Sequence, residues 1–331
     1  MEERDGIITD ILNRTYELIE QDRAEEAYEL ISGMVAKHPE YADARFQAEL
    51  KLVLKNMEYK KALKEFAFLR SLSLVYKYCE QHYQQAGREG MEAYEAQALP
   101  DSDVIWWCWL QGLEKAPDIV RCCLESIKSL GKKIVLLDGS NIEEYVSLPG
   151  HIEEKYEKGI ISNAHYTDLV RLELLTKRGG LWIDATTYIT GTDIILPILD
   201  AEDIFLYRAG NVSEYIIFDN WFMQAKRKSR ILEATKNMLY AYYEKEETVK
   251  NYFLFHLMMT LACRMYPEEY RSIPLFSNEP SHVLQHEMMS PYSEKRWKQI
   301  KAMSDVHKLT YKYEEKEEKD TFLNKLLEKK G

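Results

Sequence analysis

The chain has 331 residues, 46% of them hydrophobic and 12% aromatic, which is enough apolar material for one large domain and a smaller companion. A formal net charge of -11 excludes a surface built for nucleic-acid phosphates, which takes clustered Lys and Arg, so an anionic ligand needs a local basic site. No run approaches the roughly twenty uncharged apolar residues of a membrane span, and MEERDGIITD has neither the basic start nor the apolar core of a secretion signal; the expected location is the cytoplasm, including the inner face of its membrane.

The first seventy or so residues read as helices, with Ile8, Ile11 and Leu12, then Ala27, Leu30, Ile31 and Met34, recurring at three and four and Pro39 ending the second helix. QDRAEEAYELI aligns with KNMEYKKALKEF so that Ala24 falls on Tyr59, Ala27 on Ala62 and Ile31 on Phe66, each 35 residues on. That period resembles tetratricopeptide repeats, although Leu74 stands where a second repeat-ending proline belongs. One reading is a helical module that docks a protein partner; the other is hairpins packed on the neighbouring domain. Residues 75 to 100 read as a polar connecting helix that stops at Pro100, which puts a domain boundary there: a helical unit over 1–99, a second domain over 100–313 and a charged helix or tail over 314–331.

VIWWCW is a buried strand, APDIVRCCLESIKSL an amphipathic helix opening at Pro117, and KKIVLLD a second strand that ends at Asp138. Strand, helix and strand in that order imply a parallel βαβ unit and an α/β domain. AHYTDLVRLELLTKR is the next helix, closed by Gly179 and Gly180, and LWID and TTYIT are short strands flanking Asp184. Beyond them helices dominate, and YKYEEKEEKDTFLNKLLEKKG reads as a solvated, charge-laced helix or a disordered end.

Ligands of open α/β sheets bind beyond the carboxyl ends of the strands. The polar residues at such ends are Trp109 with Gln111, Asp138, and Asp184 with Thr186. Asp184 follows the apolar GGLWI, so it is either a carboxylate delivered to a crevice, suited to a hard divalent cation on a diphosphate, or a turn cap. As a crevice group it is expected to contribute little to stability. Asp168 and Arg171 lie three apart on the preceding helix and share one face; the pair suits sugar hydroxyls and phosphate oxygens, or is a surface ion pair.

AHYTDLVRLELLTKRGGLWIDAT resembles the signature of the glycosyltransferases of family 32 and of capsular polysaccharide synthesis proteins. Ala164, Thr167 with Asp168, Arg171, Gly179 with Gly180, Trp182 and Asp184 each fill a place in it, with the two aspartates sixteen positions apart. The likeness extends to VIWWCWLQG, to the Asn220-bearing DNWFMQAKRKS and to VHKLTYK, roughly residues 100 to 313. It implies a GT-A fold with a mixed, mostly parallel sheet, a UDP-sugar or similar nucleotide-sugar donor, a Mn²⁺ or Mg²⁺ ion and transfer of a hexose to a cell-surface glycan with retention of configuration. Trp109 would meet the base, Asp168 and Arg171 would set the sugar, and Asp184 would take metal and ribose; Gln111, Asp138, Trp182, Thr186 and Asn220 are further residues expected to bind the nucleotide sugar.

The usual second aspartate of Asp-x-Asp is replaced by the sequence Asp184, Ala185, Thr186, a form similar to that of the capsular branch. Threonine is a weaker cation ligand than a carboxylate, so His307 is expected as the further metal ligand and Lys308 as a phosphate partner; an ordinary polar loop is the alternative for His307. His282 with His286, the KRKS stretch from Lys226, and Cys122 with Cys123 read as a surface pair, a solvated helix face and core. None of the five cysteines forms a CxxC pair, which points to reduced, buried thiols. Two rivals to a capsular enzyme are a catalytically silent nucleotide-sugar-binding scaffold and a protein-modifying glycosyltransferase.

Overall fold

The structure is a computed structural model, and it describes residues 2–21, 23–37, 60–96, 98–100, 103–210, 213–313 and 320–328. The chain divides into two compact units, 1–71 and 72–331. In the first, α1 (Glu2–Glu20) and α2 (Ala24–Lys37) pack against each other. Ala27 is fully buried in a small cluster with Leu18 and Ile19, in keeping with a small residue that lets two helices approach. Pro39 and Tyr59, on which the repeat and its boundary rest, lie outside the described residues, and of the Ala62 and Phe66 side chains nothing is described.

The division falls inside α3 (Lys60–Tyr83), not near Pro100. Residues 75 to 96 are no free connector, because Tyr76, Cys79, Tyr83 and Tyr94 are buried. The Tyr83 hydroxyl donates to Glu246 at 2.7 Å, and its ring lies 5.3 Å from that of Tyr242. Aromatic residues hidden in a polar-looking stretch hold it to the larger unit.

That unit is built on a five-stranded sheet of order β2-β1-β3-β6-β5. β1 (Val104–Cys108) is followed by α4 (Asp118–Ile127) and β2 (Lys133–Leu137), and the two strands pair in parallel with Trp106 opposite Val135. The expected βαβ unit is present, its helix starting directly after Pro117. After α5 (Asn163–Lys177) comes β3 (Gly180–Ile183), parallel to β1 with Trp106 opposite Trp182. β4 (Thr187–Ile189) leaves this sheet and pairs with a strand near the end of the chain. β5 (Ile204–Arg208) and β6 (Phe218–Ala225) then extend the main sheet, β6 antiparallel to both β3 and β5. Four strands run one way and β6 the other. Helical prediction beyond residue 190 missed both strands, whose short apolar runs carry no helical or alternating signal strong enough to separate them from buried helix.

Beyond β6 the chain includes α6 (Arg230–Lys245), α7 (Leu254–Met265), α8 (Glu279–Glu287), α9 (Glu294–Met303), β7 (Val306–Lys308) and α10 (Phe322–Glu328), and shorter helices stand at Met91–Glu95, Gly150–Glu157, Ile195–Ala201 and Pro267–Ser272. Every residue of β1 is buried, as expected of a central strand covered on both faces. Ile105 and Trp107 join one core with α4, α8, α9 and α10. Trp106 faces the other way and donates its indole N–H to the Gly179 carbonyl at 2.7 Å. Cys108, Cys122 and Cys123 are buried free thiols, as are Cys79 and Cys263. α10 corrects the expectation of a solvated tail: Phe322, Leu323 and Leu326 are buried in that core, because an apolar stripe at one and four residues lies within the charged sequence. No helix among the described residues is long and apolar enough to cross a membrane.

Gly179 ends α5 with φ of 81°, and its amide donates to the Leu174 carbonyl at 3.1 Å. A Cβ there would stand 2.8 Å from the Ala225 carbonyl oxygen of β6. Gly179→Ala therefore meets both a left-handed backbone and rigid main chain, and is expected to cost about 1–3 kcal/mol or more. A urea titration that returns an unchanged midpoint would show that the turn relaxes freely.

Candidate functional site

Beyond the carboxyl ends of β1 and β3 lies a cleft of about 470 Å³, where a βα sheet is expected to bind ligands. Ser162 caps α5 by accepting from the His165 amide at 3.4 Å, and the helix is buried almost throughout, so its polar residues turn towards the cleft only at selected positions. Asp168 and Arg171 do so together, with Arg171 Nη1 3.4 Å from Asp168 Oδ1. β3 delivers Asp184 one residue past its end. There the Asp184 amide donates to the Trp221 carbonyl at 2.8 Å and its own carbonyl accepts from the Thr187 amide at 3.0 Å.

Arg171 is 3% exposed and joins three elements. Its Nη2 donates to Asp184 Oδ1 at 3.1 Å, its Nη1 to the Asn220 carbonyl of β6, and its guanidinium lies 4.9 Å from the centre of the Trp182 ring. The Asn220 amide donates to Asp168 Oδ1 at 2.8 Å. The Trp182 indole donates to Asp184 Oδ1 at 2.9 Å, and Lys308 Nζ donates to Asp184 Oδ2 at 2.6 Å. This is more than a surface ion pair: two carboxylates, a buried guanidinium and a half-buried ammonium share one cleft.

Their surroundings push the two acids apart. Burial raises the Asp168 carboxyl to about 7, reinforced by the charge of Asp184 and opposed by Arg171. Burial acts on Asp184 as well, yet Lys308 and Arg171, with hydrogen bonds from Lys308 and Trp182, hold it below the usual carboxylate range. Near neutral pH one acid is a fixed anion and the other sits close to its midpoint, a division of roles familiar from paired carboxylates in active sites.

Most residues expected at the site line this cleft: Trp109, Gln111, Asp168, Arg171, Trp182, Asp184, Thr186, Asn220 and Lys308. Trp109 stands at its mouth with the Tyr311 ring edge-on at 5.3 Å. Two expected residues are elsewhere. Asp138 does not line the cleft; its Oδ1 accepts from the Ser140 amide at 2.8 Å and hydroxyl at 2.6 Å, so it caps its own turn. His307 is fully buried with Nε2 2.9 Å from the Thr190 hydroxyl, and burial lowers its pKa to about 4. Successive residues of a strand point to opposite faces, so β7 turns Lys308 into the cleft and His307 into the core.

The same geometry bears on a divalent cation. Both Asp184 oxygens already accept hydrogen bonds, and no group of three or more His, Cys, Asp or Glu able to hold a metal occurs among the described residues. The donor set does not fit a resident metal ion. Nor is Asp184 a bystander to stability: removing it would take from Lys308 its carboxylate and from Arg171 one of two, a loss of charge-assisted hydrogen bonds worth about 1.5–3 kcal/mol each. Of the remaining candidates, His282 faces Asp219 at 3.8 Å while His286 is exposed, so they form no pair. Lys226 and Lys228 donate to the carbonyls of Leu199 and Thr176, and Ser229 caps α6.

Several cleft residues carried no sequence signal. His256 comes from the apolar α7, and its Nδ1 is buried without a partner. Its pKa is lowered to about 4, by burial first and by Arg171 against the opposing charges of Asp219 and Asp184; it is neutral at physiological pH. Tyr252 and Tyr311 form the exposed rim at 67% and 41% exposure, and Lys312 and Gln285 complete the wall. A lone histidine in an apolar helix is the one hint the sequence holds for this group.

The family model described as capsular polysaccharide synthesis protein matches residues 55–326 of the chain. No curated protein matches it significantly.

Asp168 yields a pH test. An unfolded aspartate titrates near 3.9, whereas this one titrates at about 7, so the folded chain holds the extra proton between those values. Its contribution to stability is complete below about pH 4 and is lost as pH rises through 7. His256 and His307, lowered to about 4, act in the opposite sense, so the informative quantity is a difference between proteins. The stability of Asp168→Asn relative to wild type is expected to rise from pH 4 to pH 8. A pH-independent difference in urea midpoint would mean that Asp168 has an ordinary pKa.

Proposed function

As the chain belongs to the capsular polysaccharide synthesis protein family, we propose that it is a glycosyltransferase of the GT-A type that moves a hexose from a nucleotide diphosphate sugar to a glycan acceptor. The observation that carries the reading is the convergence of Asp168, Arg171, Asp184, Asn220 and Lys308 on one cleft with Trp109 at its mouth. That set pairs hydroxyl acceptors with phosphate-binding cations. The sheet, with three parallel strands beside a reversed β6, supports the fold assignment. The helical pair at the N-terminus is read as a tetratricopeptide-like module for a protein partner.

In this reading the nucleotide base, taken as uracil, stacks at Trp109 and Gln111. The diphosphate faces Lys308 and Arg171, and sugar hydroxyls meet Asp168 and the Asn220 amide, with Thr186 beside them. Transfer breaks the bond between the anomeric carbon and the diphosphate oxygen and forms one to the acceptor oxygen. The acceptor proton passes to the departing phosphate, so retention needs no protein base. The fixed cations stabilise charge as it grows on the leaving group, and a largely dehydrated pocket strengthens that effect.

Nucleotide binding tests the reading directly. UDP and UDP-sugars are expected to raise the melting temperature by mass action, and one sugar of a UDP and GDP panel to be transferred or slowly hydrolysed. Trp109→Ala should weaken UDP binding roughly tenfold to a hundredfold, since one stacked base is worth about 1–3 kcal/mol, and should also lower the melting temperature of the free protein, because the ring packs against the core. Binding without turnover of any donor would return the chain to a silent scaffold. Absence of any nucleotide effect would remove the reading altogether.

A further inference from the structure

We infer that Lys308 takes the place of the divalent cation in this cleft, so that donor diphosphate is bound and its leaving charge neutralised without a metal ion. The inference rests on the nucleotide-diphosphate reading above and specifies how that site works.

The position of Lys308 is set by backbone pairing. β7 pairs antiparallel with β4 so that Lys308 stands opposite Thr187, and the Leu309 amide donates to the Thr186 carbonyl at 2.8 Å. The lysine is thereby fastened beside the turn that carries Asp184. Its Nζ lies 2.6 Å from Asp184 Oδ2, whereas a Mg²⁺ or Ca²⁺ ion on that oxygen would sit at roughly 2.0–2.6 Å. Ammonium and dication would claim the same space and repel each other.

The ligands that would favour the metal are missing. Two positions past Asp184 stands Thr186 rather than a second carboxylate, and His307 is buried on the far side of β7. Asp168 is the other acid lining the cleft, and its Oδ1 is engaged by the Asn220 amide at 2.8 Å. Charge tells the same story. Among the described residues the lining holds three fixed cations, Arg171, Lys308 and Lys312, against these two acids, an excess suited to a dianionic diphosphate. A fixed ammonium close to a diphosphate performs the electrostatic task of the ion, as lysines do in phosphate-binding loops.

Calorimetric titration with UDP and with GDP, in excess EDTA and then in excess Mn²⁺, decides the matter. Wild-type protein should bind one of them in EDTA with an affinity within about threefold of that in Mn²⁺. Lys308→Met should lose roughly tenfold to a hundredfold in EDTA, the equivalent of one charge-assisted hydrogen bond, and Lys308→Arg should retain most of the affinity. Wild-type binding that requires Mn²⁺ would overturn the inference and leave the glycosyltransferase reading standing. Unchanged EDTA affinity in a folded Lys308→Met protein would also overturn it. Failure of both nucleotides in both buffers would sink the reading itself, and this inference with it.

Discussion

A guanidinium that is almost wholly removed from water organises this molecule. Arg171 reaches a carboxylate on its own helix, a carboxylate past the end of β3 and a backbone carbonyl on β6. A charge in that position is tolerable only when most of its donors find acceptors, so helix and strands must be held in register for both terminal nitrogens to be paired, while Nε stays buried without a partner. The same condition explains the neighbouring detail. Trp182 offers its indole N–H to Asp184 and its ring face to Arg171, and Lys308 completes the carboxylate from the other side. Such a network is poor evidence for stability, since a well-packed apolar core would serve as well. It is good evidence for a surface prepared in advance for a charged ligand.

The sheet accounts for how these groups come from distant parts of the chain. Three parallel strands bring the ends of β1 and β3 to one edge, and the antiparallel β6 runs alongside β3 and sets Asn220 beside Asp168. The two-stranded β4 and β7 pair then carries Lys308 back from near the end of the chain to the same edge. The close approach of Gly179 to Ala225 seats α5 on the sheet, which gives the glycine pair a packing role beyond ending a helix. One side of the cleft is therefore fixed main chain, and Tyr252 and Tyr311 form its exposed rim.

Preorganisation also bears on the chemistry. Under the proposed transfer, cations already set in the cleft would need little rearrangement as charge develops on a leaving diphosphate, which is where electrostatic catalysis is most effective. The two acids have opposite pKa displacements: Asp184 anchors Arg171 and Lys308, and Asp168 accepts from the Asn220 amide. His256, half-buried and neutral in the cleft lining, adds an uncharged polar wall.

By itself the sequence determined the local elements around the site: the buried strand VIWWC, the helix after Pro117, the helix bearing Asp168 and Arg171 at one face, and the glycine pair before Asp184. These follow from short-range periodicity and from backbone conformations that glycine and proline dictate within a few residues. The tertiary structure alone decided which of the polar residues meet. It assigned Asp138 to its own turn and His307 to the core, added His256 and the tyrosine rim, turned an apparently polar connector and a charged tail into packed elements, and brought Lys308 against Asp184. Those outcomes depend on strand pairing and burial between segments far apart in the chain, and no local pattern of residues encodes which face of a three-residue strand looks into a cleft.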